Sequence, residues 1–314
     1  MKKIRIVVLM GGPSAEHEVS LKSGAMVLKN LDPQKYSAMP IVVGKDGKWP
    51  VAPEMLKRDY DLAFIAMHGE YGEDGMVQAL LESLGVPFTG SDAKASRLGM
   101  DKIAAARAFK KAGLNTPPTV NLGRIKKFPV VIKPADRGSS VGVSVVKNHA
   151  ELQRATAEAK KYSPNVIAQQ FISGREFTCG VLEVSPSTSH AYRQAGSGHN
   201  AIALPPTEIV VKRGVFFDFD AKYTPNASEE ITPPRNLPAA KIKALQQAAL
   251  TAHRAIGARG ISRTDMIMNA KEKIYVLEIN TIPGMTENSL VPKEAAVAGI
   301  SRAKLLDFII AAAL

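Results

Sequence analysis

The stretch LEINTIPGMTENSL (Leu277–Leu290) closes an apolar run, Ile274–Leu277, with a carboxylate and a carboxamide two residues apart. Strand side chains alternate between faces, so Glu278 and Asn280 point the same way. A buried, unpaired carboxylate is costly or neutralises, so something on that face must satisfy both groups. A hard metal ion does so, and so does an arginine or lysine. Upstream, Arg263–Met268 reads as a second strand, joined to the first through a turn at Asn269–Lys273 as a β-hairpin. Arg263 and Asp265 share one face of it. Pairing through that turn brings the four polar groups together. Two carboxylates and an amide oxygen suit Mg2+, which takes one or two carboxylates and otherwise waters and substrate phosphates. Arg263 then stabilises anionic oxygens beside the metal. The plainer alternative is a surface cluster of ion pairs.

Further upstream, Phe128–Lys133 and Val141–Val146 read as strands joined by a polar, Gly-containing loop around Asp136–Ser140. A lysine closing an apolar strand, Lys133, reaches a phosphate as a point charge. The loop offers backbone N–H groups and two hydroxyls that fold over phosphates, or it is a plain hairpin turn. It is not a Walker A loop, and Gly11-Gly12 does not continue as a dinucleotide fingerprint. Strands over Ile4–Met10, Ala38–Val43 and Leu62–Met67, with helices over Ser20–Leu31 and Met76–Leu84, predict a parallel α/β unit over residues 1–92. Ligands gather where such strands end. Glu18 and His68 follow two of them; the plain readings are a helix-start acid and a solvated loop histidine. A helix over Met100–Ala112, one over Glu151–Lys161 and strands over Asn165–Phe171 and Glu176–Val184 complete a second unit, 93–184. A third, 185–314, holds a strand near His190–Gln194, a helix over Leu237–Ile256 and the closing hairpin. Its stretch Pro205–Pro234 has little periodicity and contains Ala221-Lys222-Tyr223, which reads as a lid over a substrate or as ordinary exposed chain.

Composition narrows the classes. The 314 residues are 45% apolar and 22% charged, ordinary for a soluble globular protein of two or three units. No run of about 18 apolar residues exists, so no membrane span is expected. The short apolar start breaks at Gly11-Gly12-Pro13, a buried strand rather than a signal peptide, which predicts a cytoplasmic location. The single cysteine, Cys179, excludes an internal disulfide. The net charge of +12 is scattered and aromatics are few, which argues against a nucleic-acid groove.

In order and spacing, eight segments resemble the D-alanine–D-alanine ligases of the ATP-grasp superfamily along essentially the whole chain. They are GGPSAEHEVSLKSG (11–24), MHGEYGEDG (67–75), MDK (100–102), VIKPADRGSSVG (131–142), GREFT (174–178), AKY (221–223), RTD (263–265) and LEINTIPGMTENSLVP (277–292). The resemblance implies an α/β fold with a Rossmann-like N-terminal domain and a two-lobed ATP-grasp fold. It implies ATP-dependent joining of two D-alanines through an acyl phosphate, for peptidoglycan synthesis, by a cytoplasmic homodimer. ATP is the co-substrate, with two Mg2+, for which Mn2+ substitutes. Glu18 would hold the first D-alanine's ammonium and form a triad with Ser139 and Tyr223, with His68 and Lys222 near the substrates. Lys102, Lys133 and Ser140 would face the ATP phosphates, Glu176 the ribose, and Gln169, Phe171 and Ile172 the adenine. Asp265, Glu278 and Asn280 would bind metal. Arg263 and the Gly284 N–H would stabilise developing oxyanions, while Ser289 and Leu290 would hold the second D-alanine. The rival is a D-alanine–D-lactate or other D-amino-acid ligase; by resemblance, Tyr223 goes with the dipeptide. Gln169 stands where many relatives carry an adenine-side glutamate. Its amide oxygen still accepts from the adenine amino group, but one negative charge near the nucleotide is removed. Relaxed nucleotide choice is therefore expected, with GTP supporting measurable turnover; strict use of ATP would count against it.

Overall fold

The structure, a computed structural model, describes residues 2–184, 201–211 and 228–314. Lys222, Tyr223 and the strand expected near His190–Gln194 lie outside the described residues.

The first unit contains β1 (Ile4–Gly11), α1 (His17–Asn30), β2 (Tyr36–Val43), α2 (Leu56–Asp59), β3 (Leu62–Ile65) and α3 (Met76–Leu84). Its parallel sheet has the order β2-β1-β3. The central strand is covered on both faces, which is why it reads as an unbroken apolar run. Val7 and Leu9 pack with Val77 and Leu81 of α3. Ile6 and Val8 pack with Val27 of α1 and with Leu305, Phe308 and Ile309 near the end of the chain. The last helix is thus built into the first unit's core.

Next come α4 (Ala93–Met100) and α5 (Lys102–Lys111), where one helix, Met100–Ala112, was expected. Asp101 causes the break: its backbone is extended and its carboxylate accepts from the N–H groups of Ile103 and Ala104. A short acidic side chain satisfies these orphan donors better as a cap than inside a helix. This break puts Lys102 on the first turn of α5.

A four-stranded antiparallel sheet holds β4 (Thr119–Val120), β5 (Val130–Pro134), β6 (Ser144–Val146) and β7 (Val166–Gln170), in the order β4-β7-β5-β6. Helix α6 (His149–Lys160) covers it through Ala155 and Ala159. The larger sheet holds β8 (Gly174–Glu183), β9 (Ala201–Ala203), β10 (Thr207–Val211), β11 (Ser228–Ile231), β12 (Ile261–Asn269) and β13 (Ile274–Asn280). Its order is β11-β10-β8-β12-β13, with β9 also on β8. Helix α7 (Ala239–Ile256) packs on it, and α8 (Leu290–Val297) and α9 (Arg302–Ala311) follow.

Two sequence expectations shift here. Strand β8 pairs with β12 along its length, so it belongs to the third unit's sheet and not to the 93–184 unit. Ala105 and Phe109 of α5 likewise pack with Phe177, Leu245 and Ala249 of that third core. The stretch Pro205–Pro234 also carries two strands, β10 and β11, paired antiparallel on either side of residues 212–227. Thr207–Val211 is too short to show a period, and its partner lies far along the chain.

Candidate active site

The closing hairpin pairs Arg263 with Asn280 and Asp265 with Glu278. The register then shifts, so that Met266 faces Val276 and Leu277 is the extra residue of a β-bulge. Strict alternation would place Val276 and Glu278 on one face. The bulge lets Val276 and Ile279 enter the core while Glu278 and Asn280 turn to the opposite side. Asp265 accepts from Arg263 at both oxygens, at 2.9 and 2.8 Å, and from the Thr178 hydroxyl at 2.7 Å. Burial opposes the Arg263 charge, but Asp265 and Glu278 hold the guanidinium above its usual value. Lys102 Nζ lies 3.3 Å from Glu278 and donates to the Arg137 carbonyl at 2.5 Å. Burial, and then the like charge of Lys102, push Lys133 down to about 8, against the pull of Glu278.

These groups stand between two cavities. The larger, about 680 Å³, is lined by Glu16, His68, Ser139, Arg263, Gly284, Ser289 and Leu290 among others. The smaller, about 200 Å³, is lined by Lys133, Ser140, Gln169, Phe171, Ile172 and Glu176. Lys102, Asp265 and Glu278 line both. Every nucleotide residue expected from sequence therefore faces the smaller space. The substrate and metal residues face the larger one, except Glu18 and the undescribed Lys222 and Tyr223.

Glu18 requires correction. Its side chain is 68% exposed and pairs with Lys45 at 3.1 Å. The carboxylate bound to Ser139 is Glu16, with the hydroxyl donating at 2.5 Å. Glu16 precedes α1, at the mouth of the cavity; two residues further the helix has turned roughly 200°, and Glu18 faces away. Gly69 makes room: it has φ +73°, and a Cβ there would stand 3.0 Å from Glu16 and Ser14. Sequence reasoning also missed Glu73. It is buried, with its carboxylate 3.4 Å from His68 Nδ1. His68 Nε2 meets the Ser23 hydroxyl at 2.7 Å, and Nδ1 also meets the Ile282 carbonyl at 3.1 Å. Burial opposes a charge on His68, but Glu73 holds the ring above its ordinary value. The available signal was the Gly-rich spacing of HGEYGEDG, which curls the loop so that Glu73 donates its N–H to the Gly69 carbonyl.

Glu294 was also unforeseen. It is fully buried in α8 and accepts from the Gly180 N–H at 2.6 Å and the Thr207 hydroxyl at 3.0 Å. Burial pushes its carboxyl up to about 8 from 4.5. The folded state thus keeps a proton that the unfolded chain releases above its own lower pKa, and folding stability falls as pH rises across that interval. Glu294→Gln should lack this decline. Its melting temperature should gain on the wild type by on the order of 5 °C between pH 5 and pH 8. Parallel curves in thermal unfolding would refute the assignment.

Comparison with known proteins decides the family. A family model described as D-ala D-ala ligase C-terminus matches residues 95–311, and one described as D-ala D-ala ligase N-terminus matches residues 5–60 and 50–91. The chain belongs to the D-alanine–D-alanine ligase family. The D-alanine–D-alanine ligase of Geotalea uraniireducens is 43% identical over 322 residues, covering 100% of this chain and 96% of that one. That of Geobacter sulfurreducens is 42% identical, covering 94% and 89%. Among solved structures, the VanG D-Ala:D-Ser ligase from Enterococcus faecalis aligns with a TM-score of 0.85 at 30% identity, covering 100% of both chains. The D-alanine–D-alanine ligase of Bacillus anthracis complexed with ATP aligns with a TM-score of 0.79 at 32% identity, covering 100% of this chain and 97% of that one.

The metal that this family implies can be tested against the donors present. Asp265, Glu278 and Asn280 offer oxygen only. Among the described residues there is no group of three or more His, Cys, Asp or Glu that could hold an ion. Two carboxylates and an amide fit Mg2+ that completes its shell with waters and nucleotide phosphates, rather than an ion caged by protein alone.

Proposed function

We propose that this protein joins two D-alanines into D-alanyl-D-alanine, converting ATP to ADP and phosphate. The observation that carries the reading is the pair of cavities meeting at Lys102, Asp265 and Glu278. One suits a nucleotide and the other small zwitterions. The names of relatives 35–43% identical over nearly the full length support D-alanine as both substrates.

A carboxylate oxygen of the first D-alanine attacks the γ-phosphorus, and the bond to the bridging oxygen breaks toward ADP. The second D-alanine gives up its ammonium proton, and its amine attacks the carbonyl carbon of the resulting acyl phosphate. The carbon–oxygen bond breaks, phosphate leaves, and the new amide nitrogen sheds a further proton. Phosphoryl transfer of this kind asks for positioning and charge neutralisation more than for a strong base. Glu16 holds the first ammonium. Lys102 and Lys133 face the phosphates, Glu176 the ribose, and Gln169 with Phe171 and Ile172 the adenine. Arg263 and the Gly284 N–H stabilise the developing oxyanion. Ser289, whose hydroxyl meets the N–H and hydroxyl of Thr286 at 2.9 and 2.7 Å, holds the second carboxylate with Leu290. Mg2+, held by Asp265, Glu278 and Asn280, supplies charge neutralisation to the phosphates when bound.

The setting we propose is a cytoplasmic homodimer in peptidoglycan synthesis, acting on D-alanine and ATP without nucleic acid or membrane. Among the described residues no helix is long and apolar enough to cross a membrane. The test is phosphate release from ATP and Mg2+ with D-alanine, with L-alanine, and with D-alanine plus D-lactate or D-serine, with products identified by mass. Dipeptide from D-alanine alone is expected. A mixed product in preference to it would favour the D-lactate or other D-amino-acid ligase.

A further inference from the structure

Among the described residues, two polar contacts join the first unit to the Gly-Ser-Ser loop. One is the Ser139–Glu16 hydrogen bond. The other is an ion pair with no role in the reading above: Arg137 Nε lies 2.7 Å from Glu70 Oε1.

Its position gives it reach. Arg137 lines the smaller cavity, and its carbonyl accepts from Lys102, the lysine beside Glu278. Glu70 lies between His68 and Glu73 in a loop tied by the Tyr71 N–H to Asp74 at 2.8 Å. Both ends of the pair sit on turns with left-handed residues, since Tyr71, beside Glu70, has φ +69°. Ser139 and Ser140 have φ of +51° and +58°, a region L-residues avoid unless their surroundings hold them there. Arg137 is also tied locally at the same time: its Nη1 lies 3.5 Å from the Asp136 carboxylate and donates to the Asp136 carbonyl at 3.1 Å. Exposure of 31% and 47% makes the pair a weak source of global stability. What it fixes is where the loop rests.

We propose that Glu70 is a positioning residue of the ligation: by holding Arg137 it keeps the Gly-Ser-Ser loop closed over the junction of the two cavities. Without that grip, water reaches the junction while the activated first substrate waits for the second. Water then attacks the acyl carbon, the carbon–oxygen bond breaks, and the products are D-alanine and phosphate without dipeptide. The inference rests on the ligation reading.

The experiment measures phosphate and dipeptide from the same reaction, together with KM for ATP. Wild type must first give dipeptide; its absence defeats the ligation reading itself. E70Q should then release phosphate in several-fold excess over dipeptide, with KM for ATP raised several-fold and a smaller change in kcat. R137E should do the same. The exchanged pair E70R/R137E should move the ratio back toward one. An E70Q protein with wild-type ratio and KM overturns the proposal while leaving the ligation intact. So does an exchange no better than R137E alone. Unchanged melting temperatures separate loop placement from loss of fold.

Discussion

Glu278→Ala is expected to lower turnover by roughly a thousandfold or more, the several kcal/mol that a metal-assisted phosphoryl transfer draws from its ion. Three consequences coincide at this residue. Its carboxylate lines both cavities, so its loss is felt by nucleotide and substrate together. It lies 3.3 Å from Lys102 and opposes the downward shift of Lys133. Without it, two buried lysines face each other with less compensation, and more of Lys133 is neutral near pH 8. Finally, the oxygen donors fall to Asp265 and Asn280, and Asp265 is already engaged by Arg263. The checks are kcat at saturating substrates and Mn2+ binding in the presence of ADP, read by electron paramagnetic resonance. Both should collapse in Glu278→Ala, with partial Mn2+ binding in Glu278→Asp. Turnover within tenfold of wild type would remove Glu278 from the centre of the site.

The same residue shows what was legible in the sequence. The apolar run ending in Glu278-Ile279-Asn280 identified the strand, its partner and the convergence of four polar groups. The bulge at Leu277 was not legible, because it depends on the fit of Val276 and Ile279 into a core built from distant segments. Periodic elements such as Met76–Leu84 and Ile274–Asn280 have the bounds that their patterns predict. Elements defined by partners did not. Nothing local in Gly174–Glu183 says that it pairs with Ile261–Asn269 rather than with the nearer Val166–Gln170. The expected helix began at Met100, one residue before the Asp101 cap, and the helix Ala93–Met100 was not foreseen. The residues that the family resemblance assigns to the nucleotide, from Lys102 to Glu176, all line the smaller cavity, so their grouping was legible through the motifs that carry the resemblance. Glu73 and Glu294 were not, since their roles come from burial against His68 and against Gly180 and Thr207.

The sharpest difference between sequence and structure concerns two acids only two residues apart, and it has a decisive test. Glu16→Gln is expected to lower kcat/KM for D-alanine by roughly 30- to 1,000-fold, since breaking a desolvated, hydrogen-bonded charge pair costs about 2–4 kcal/mol. The amide keeps the size and the Ser139 hydrogen bond, so the loss isolates the charge offered to the substrate ammonium. Glu18→Gln should leave kcat/KM within about twofold, because its solvent-facing partner, Lys45, lies outside both cavities. A half-turn rotation of the start of α1 would exchange these outcomes, since the cavity-facing position would then pass from Glu16 to Glu18. Steady-state kinetics of both variants with D-alanine and ATP therefore test the placement of α1 as well as the chemistry. A crippled Glu18→Gln beside an active Glu16→Gln would mean that α1 enters the site by its other face. The Ser139 contact would then be a structural tie between the units, not the wall of a substrate pocket.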